Sequence, residues 1–290
     1  MVNTSYSNTT TQILKVKTEQ VAYRQLGDVK NPPLLCLNHL AATLDNFDPA
    51  IMNGLAEHFN VIGIDYVGVG KSTGKSRLTI EEMADDVIDF AETYGLKDIR
   101  LLGFSLGGFV AQQVLLRAPA LTTKAILAGT GGAGGVGIKN VAKITYWDMF
   151  RAFFTGRDPK YYLFFPMIEQ GKKAANNFLK RIARTEDKDD KIKLSSFQRQ
   201  LKAISVWGSR EKDDLSKIKI PIWVVNGDND RMVPTPNSYD LAERLPNVHL
   251  TIYPDAGHGG VFQYHEVFVP KAIEFLSSIK RYESNTDRRI

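Results

Sequence analysis

The chain of 290 residues has one cysteine, so no disulfide can form within it. That residue, Cys36, sits in the apolar run PPLLCLN, where a buried strand thiol is expected. No apolar stretch approaches the ~18–20 residues that a membrane span requires. Residues 1–12, MVNTSYSNTTTQ, lack both the basic start and the apolar centre of an export signal, so a cytoplasmic protein with no membrane partner is expected. No HExxH and no paired-cysteine spacing occurs, which leaves a metal site without support and makes a cofactor unnecessary. The formal net charge is only +5, and the lysines and arginines of 172–202 alternate with acids and apolar residues. Without a basic stripe or an aromatic platform, nucleic acid is not expected as a partner. Oligomeric state is not legible in such a pattern.

What is present is a rhythm of short β-rich runs. QILKVK and QVAYRQLG alternate like the two strands of a hairpin. PLLCLN, FNVIGID, IRLLGF, KAILAG, IPIWVVNG and VHLTIYPD follow, most of them near-continuously apolar, as strands covered on both faces are. Helical patterns separate them at 79–95, 106–118, 236–246 and 265–281. Alternation of this kind predicts an α/β fold with a mostly parallel, doubly wound sheet and a hairpin at one edge. Residues 131–217 break the rhythm. They open with glycines and continue as aromatic and then basic helical text without a strand, which reads as an inserted helical cap over the strand ends. The expected organisation is therefore a core of 1–130 and 218–290, with 1–11 a disordered tail, and a cap of 131–217.

The stretch GFSLGG, 103–108, follows the strand IRLLGF and opens the helix pattern LGGFVAQQVLLRA. This is the strand–turn–helix context of the G-x-S-x-G motif, in which a sharp turn lifts the serine hydroxyl clear of the sheet. Glycines at 103 and 107 are needed where side chains would collide with the adjoining backbone. A serine hydroxyl is a weak nucleophile and needs a base, which needs an orienting acid. Of five histidines, His39 and His58 precede Ser105, His249 lies within a strand pattern, and His265 lies in or beside the last helix. His258, in PDAGHGG after the last strand, is the candidate base. VVNGDNDRMVP places Asp228 and Asp230 beyond another strand; Asp230 is the preferred acid, and Asp228 reads as a turn former.

Two other glycine runs carry no such context. GVGKS, 68–72, has aspartate where a phosphate loop needs its first glycine, and GTGGAG, 129–134, lies too far along the chain for a dinucleotide fingerprint. The aromatic residues of the inserted segment, with Trp147, Phe150, Phe154, Tyr162 and Phe165 foremost beside His39, are candidates for the wall of an apolar substrate pocket.

Taken together, LNHLAATLDNFDP, IDYVGVGKSTG, LLGFSLGGFVAQ, VNGDNDRMVP and AGHGG resemble the successive signature segments of the α/β-hydrolase superfamily over roughly residues 20–280. The likeness is to capped serine esterase-like and haloperoxidase-like members. It implies Ser105 as nucleophile, His258 as base and Asp230 as acid, with an oxyanion hole from the backbone N–H groups of Leu106 and Leu40. Two departures stand out. Asn38-His39 replaces the usual His-Gly, and Val67 occupies the usual arginine position of the Asp-x-Arg-Gly turn. The implied activity is hydrolysis of a small to medium, largely apolar ester, thioester or lactone through an acyl-enzyme. The alternatives are perhydrolysis or C–C bond hydrolysis on the same triad, or a ligand receptor with little turnover.

Overall fold

The computed structural model describes residues 5–183 and 186–278. Eight strands form one sheet: β1 (Gln12–Val16), β2 (Glu19–Leu26), β3 (Pro33–Leu37), β4 (Asn60–Ile64), β5 (Ile99–Phe104), β6 (Thr122–Ala128), β7 (Ile222–Gly227) and β8 (Val248–Tyr253). Their spatial order is β1-β2-β4-β3-β5-β6-β7-β8. Only β2 pairs antiparallel with its neighbours; from β4 to β8 every pairing is parallel. The hairpin and the doubly wound sheet expected from the alternating pattern are both present.

Among the described residues, ten α-helices accompany the sheet. They are α1 (Pro49–Ala56), α2 (Ile80–Tyr94), α3 (Leu106–Arg117), α4 (Val141–Thr155), α5 (Lys160–Phe164), α6 (Glu169–Ile182), α7 (Leu194–Trp207), α8 (Pro236–Arg244), α9 (Gly260–Gln263) and α10 (His265–Ser277). The period-two alternation of the strands splits the core in two. Leu35, Leu37, Leu101, Leu127 and Val224 face α2 and α3, whereas Leu34, Cys36, Leu102, Ile126 and Trp223 face α1 and α10. Because both faces are covered, the parallel strands read as unbroken apolar runs.

Helix α2 shows why its ends fall where they do. Thr79 and Glu82 form a reciprocal capping box at its start, and Gly95 ends it at φ 82°. Helix α1 has no counterpart among the helical patterns noted above. Its signals are an Asp48 cap onto the Ala50 N–H, a proline at the first helical position, and Ile51, Met52 and Leu55 on one buried face.

Residues 5–11 correct the expectation of a disordered tail; residues 1–4 of that tail lie outside the described residues. Tyr6 is fully buried in a 3₁₀ turn, its N–H donates to Asn53 Oδ1 at 2.7 Å, and its hydroxyl donates to the Leu44 carbonyl. One buried tyrosine and one capping box tie a polar segment that composition alone reads as loose.

Between β6 and β7 lie α4 to α7, with no strand among the described residues. They pack against the sheet's own helices and loops. Phe178 of α6 stacks on Phe262 at 4.5 Å, and Trp207 of α7 stacks on Phe109 of α3 at 5.7 Å. The stretch 186–190, leading into α7, is clamped to the sheet edge. Lys71 Nζ and the Thr11 N–H bind the Asp187 carboxylate, and the N–H groups of Leu44 and Lys71 donate to Asp189.

Asp65, at the end of β4, faces Asp189 in this clamp. Burial first, and then the neighbouring Asp189 carboxyl, push its pKa well above the ordinary carboxylate range. A carboxyl with a raised folded-state pKa adds stability at low pH and loses it as pH rises through the folded value. Asp65→Asn keeps the shape and the donor of the protonated acid. The variant should melt a few degrees above the parent at about pH 8, with the gap closing toward pH 4. Thermal denaturation across pH checks this.

Candidate active site

The sheet reverses its winding between β3 and β5, and the loops that follow these two strands meet at their C-terminal ends, where open α/β sheets place their sites. Ser105 stands at this point, directly after β5. Its backbone is left-handed, φ 57° and ψ −118°, in a region that costs a non-glycine residue roughly 1–3 kcal/mol. Neighbouring glycines permit it. A Cβ on Gly107 would come within 2.2 Å of the Leu37 carbonyl oxygen, and one on Gly103 within 2.4 Å of the Gly107 oxygen. Two further bonds hold the turn: the Ser105 N–H donates to the Ala128 carbonyl at 2.9 Å, and the Thr130 hydroxyl donates to the Ser105 carbonyl at 3.0 Å.

Ser105 sits at the start of α3, yet its side chain makes no capping bond. Its hydroxyl lies 2.8 Å from His258 Nε2 instead. On the far side of the ring, His258 Nδ1 lies 2.8 Å from Asp230 Oδ2. Because the aspartate accepts at Nδ1, that nitrogen carries the ring proton and Nε2 is free to accept from the serine. Asp230 Oδ1 accepts from the Met232 and Val233 N–H groups at 2.8 and 2.9 Å, so the loop fixes its orientation. His258 is 2 % exposed and packs against the rings of Phe104 and Phe164, at 5.0 and 5.6 Å. The structure thus brings Ser105, His258 and Asp230 into one hydrogen-bonded chain. Asp228 accepts from the Ala256 N–H and the Asn229 amide, which is turn chemistry.

A cavity of about 320 Å³ opens above the serine. Its floor carries Ser105, His258, His39 and Leu40, and its walls are mainly apolar, with Met149, Leu163, Phe164, Phe197 and Met232 among them. Asp158 and Lys160 supply a polar margin. His39 occupies the place of the usual glycine. Burial first, then the Lys160 charge, lowers its pKa to about 3, against an opposing bond to the Leu40 carbonyl. It stays a neutral imidazole whose Nδ1 donates to that carbonyl at 2.8 Å. Val67, the second departure, is buried in the apolar core.

The wall corrects the expected aromatic lining. Trp147, Phe150 and Phe154 are exposed on the outer side of α4 and do not reach the cavity. Tyr162 and Phe165 are buried in the core cluster beneath it, Tyr162 under the Arg151 guanidinium and Phe165 against Phe178. The reason is helical phase. The buried positions of α4 are Val141, Thr145, Asp148 and Ala152, so Thr145 faces the cavity and the aromatic residues fall outside. Of the proposed wall residues only His39 lines it. Met149, Leu163 and Phe197 belong to helical text that gives no sign of which face looks inward.

Inserted helices also hold the loops of the site. Asp148, fully buried, pairs with Arg231 beside Asp230, and the Arg231 guanidinium donates to the Tyr162 carbonyl. The Gly259 N–H donates to the Phe164 carbonyl at 2.7 Å, and the Ala41 N–H donates to Gln200 Oε1 at 2.9 Å.

Comparison with known proteins places the fold. The model of the α/β hydrolase fold matches residues 32–263. The chain belongs to that family. An α/β hydrolase fold protein from Chitinophaga pinensis is 34% identical, superimposes with a TM-score of 0.90, and aligns over 95% of this chain and all of that one. A Mycobacterium tuberculosis protein named "Putative non-heme bromoperoxidase BpoC" is 24% identical over 242 residues, 78% of this chain and 86% of that protein. The pimeloyl-[acyl-carrier protein] methyl ester esterase of Aliivibrio fischeri is 22% identical over 228 residues, 77% of this chain and 85% of that enzyme. Relatives named as hydrolases make a hydrolase the general reading of this family member.

If close backbone approach at the elbow is what Gly107 provides, Gly107→Ala must push the Leu37 carbonyl aside. The expected cost is about 1–3 kcal/mol, seen as a lowered melting temperature, with turnover reduced further than stability because the turn carries Ser105. An alanine variant with parental stability and turnover would contradict the assignment.

Proposed function

We propose that the protein is a serine hydrolase cleaving a small to medium, largely apolar carboxylic ester, thioester or lactone. The observation that carries this reading is the Ser105–His258–Asp230 chain, with both contacts at 2.8 Å, opening on a mainly apolar cavity.

In this scheme His258 Nε2 takes the Ser105 proton as the Oγ attacks the substrate carbonyl carbon. The carbonyl oxygen becomes an oxyanion, for which the N–H groups of Leu106 and Leu40 are the proposed donors. Leu106 is the first residue of α3, where backbone N–H groups are unpaired by the helix and the helix dipole favours negative charge. Loss of one such donor costs about 10²–10³ in rate. His258 then passes its proton to the departing alcohol or thiol, leaving an acyl group on Ser105. Water enters, gives a proton to His258 and attacks the acyl carbon; collapse releases the acid and returns the proton to Ser105. Asp230 holds the ring in the tautomer this requires and stabilises it when charged. The neutral His39 gives the site a single imidazole that moves protons.

The helices of 131–217 are proposed as the cap that closes the cavity. Met149, Leu163 and Phe197, all from this segment, supply its apolar wall, which suits an acyl chain rather than a charged substrate. A relative that hydrolyses a methyl ester supports the substrate class.

Burst kinetics on p-nitrophenyl esters of increasing acyl length test the scheme. A burst stoichiometric with enzyme, followed by steady release, is expected. Ser105→Ala should show neither while keeping its melting temperature, and Asp230→Asn should lose about 10⁴-fold in kcat. Parental turnover from Ser105→Ala would overturn the mechanism. A burst without turnover would indicate a ligand receptor instead.

A further inference from the structure

Helix α4 is turned outward against the usual sense. Its buried face carries Thr145 and Asp148, while Trp147, Phe150, Phe153 and Phe154 point to solvent at 63, 57, 81 and 70 % exposure. The chain has 15 phenylalanines and three tryptophans, and these four are the exposed ones among the described residues. They form a continuous surface: Trp147 stacks on Phe150, Phe150 meets Phe154 edge-on at 4.7 Å, and Phe153 meets Phe154 at 5.4 Å. Exposed Tyr146 and Met149 lie in the same helix. A contiguous apolar patch of this kind on a globular protein marks an interaction site.

Charge decides what fits it. Around the aromatic residues, Lys139, Lys143, Arg151 and Arg157 are exposed. Between 131 and 160 the only acids are Asp148, buried and paired with Arg231, and Asp158, paired with Lys160; neither is exposed. The patch therefore presents aromatic rings beside four exposed cations that no exposed acid of 131–160 offsets. A second copy related by two-fold symmetry would set these cations against their own copies. An anionic lipid surface satisfies both parts at once: the rings enter the headgroup boundary and the cations meet the lipid charge. Met149 connects the patch to the catalytic cavity, which it also lines together with the exposed Leu194.

We propose that α4 docks the protein, in the plane of the interface, onto an anionic lipid surface, with the mouth of the Ser105 cavity facing the lipid. The chain has no helix, among the described residues, long and apolar enough to cross a membrane. Peripheral docking needs none. This proposal concerns binding and stands apart from the chemistry at Ser105.

The tryptophans give a direct readout. Trp207 and Trp223 are each 1 % exposed, so Trp147 is the one whose surroundings change on docking. Addition of phosphatidylglycerol-containing vesicles to the full-length protein should shift its tryptophan emission to the blue, and the protein should co-sediment with the vesicles. Vesicles of phosphatidylcholine alone should bind about tenfold or more weakly, and high salt should weaken binding to the anionic ones. Trp147→Phe should keep co-sedimentation but lose the shift. Phe150→Ser with Phe153→Ser and Phe154→Ser should abolish co-sedimentation without lowering the melting temperature, since these side chains are exposed. Lys139→Glu with Lys143→Glu, two surface changes, should cut binding about tenfold or more. Absence of any shift or co-sedimentation with anionic vesicles would overturn the proposal. So would a stable dimer by light scattering that the triple serine variant converts to monomer, because the patch would then be filled by a second copy.

Discussion

A serine held at φ 57° is a conformation that an isolated chain avoids, and the site is arranged around keeping it there. Three glycines let β5 and α3 approach closely enough to force the turn: Gly103 and Gly107 against backbone oxygens, and Gly108 against Thr130. The Ala128 carbonyl, at the end of the neighbouring strand β6, and the Thr130 hydroxyl, just beyond it, then lock Ser105. The strain is offset by sheet and helix packing that is fully buried on both faces. In return the hydroxyl leaves the capping role a serine would otherwise take and meets an imidazole.

Placement of that imidazole depends on a second set of ties. Asp230 and His258 sit on loops after β7 and β8, and loops alone do not hold distances to a few tenths of an ångström. Met232 and Val233 fix the acid locally, while the inserted helices fix both loops from above through Arg231–Asp148 and Gly259–Phe164. Asp48 is bound by Arg181 of α6 through a two-point ion pair, which extends the same fastening to α1. Removing the half-exposed Arg231 leaves the buried Asp148 carboxylate without its counter-charge. The helices over the site are thus part of its framework, and their outward aromatic face is the surface left free for something else.

Much of this is visible in the sequence, and the gaps have physical causes. The parallel strands announce themselves because burial on both faces removes polar residues from them, as in KAILAG and IPIWVV. Ser105, Asp230 and His258 are legible because each follows a strand and the elbow needs its glycines. Helix α1 hides because only eight residues carry its pattern, and Tyr6 hides because one tyrosine anchors a polar segment. The cavity wall is illegible for a different reason. In α4 the apolar side of the helix faces solvent and a buried aspartate faces the core, so the rule that apolar residues turn inward points the wrong way. That inversion sent Trp147, Phe150 and Phe154 to the wall in the sequence reading, and it is also what makes their true position informative.

Central to the account is the proposal that Ser105, among all the serines of the chain, is the activated nucleophile. Labelling with a fluorophosphonate, followed by intact mass and peptide mapping, tests this without knowledge of the substrate. One adduct per chain, on the peptide containing Ser105 and lost in His258→Ala, is the predicted result. No adduct on the folded protein, or an adduct elsewhere that persists in Ser105→Ala, would contradict it.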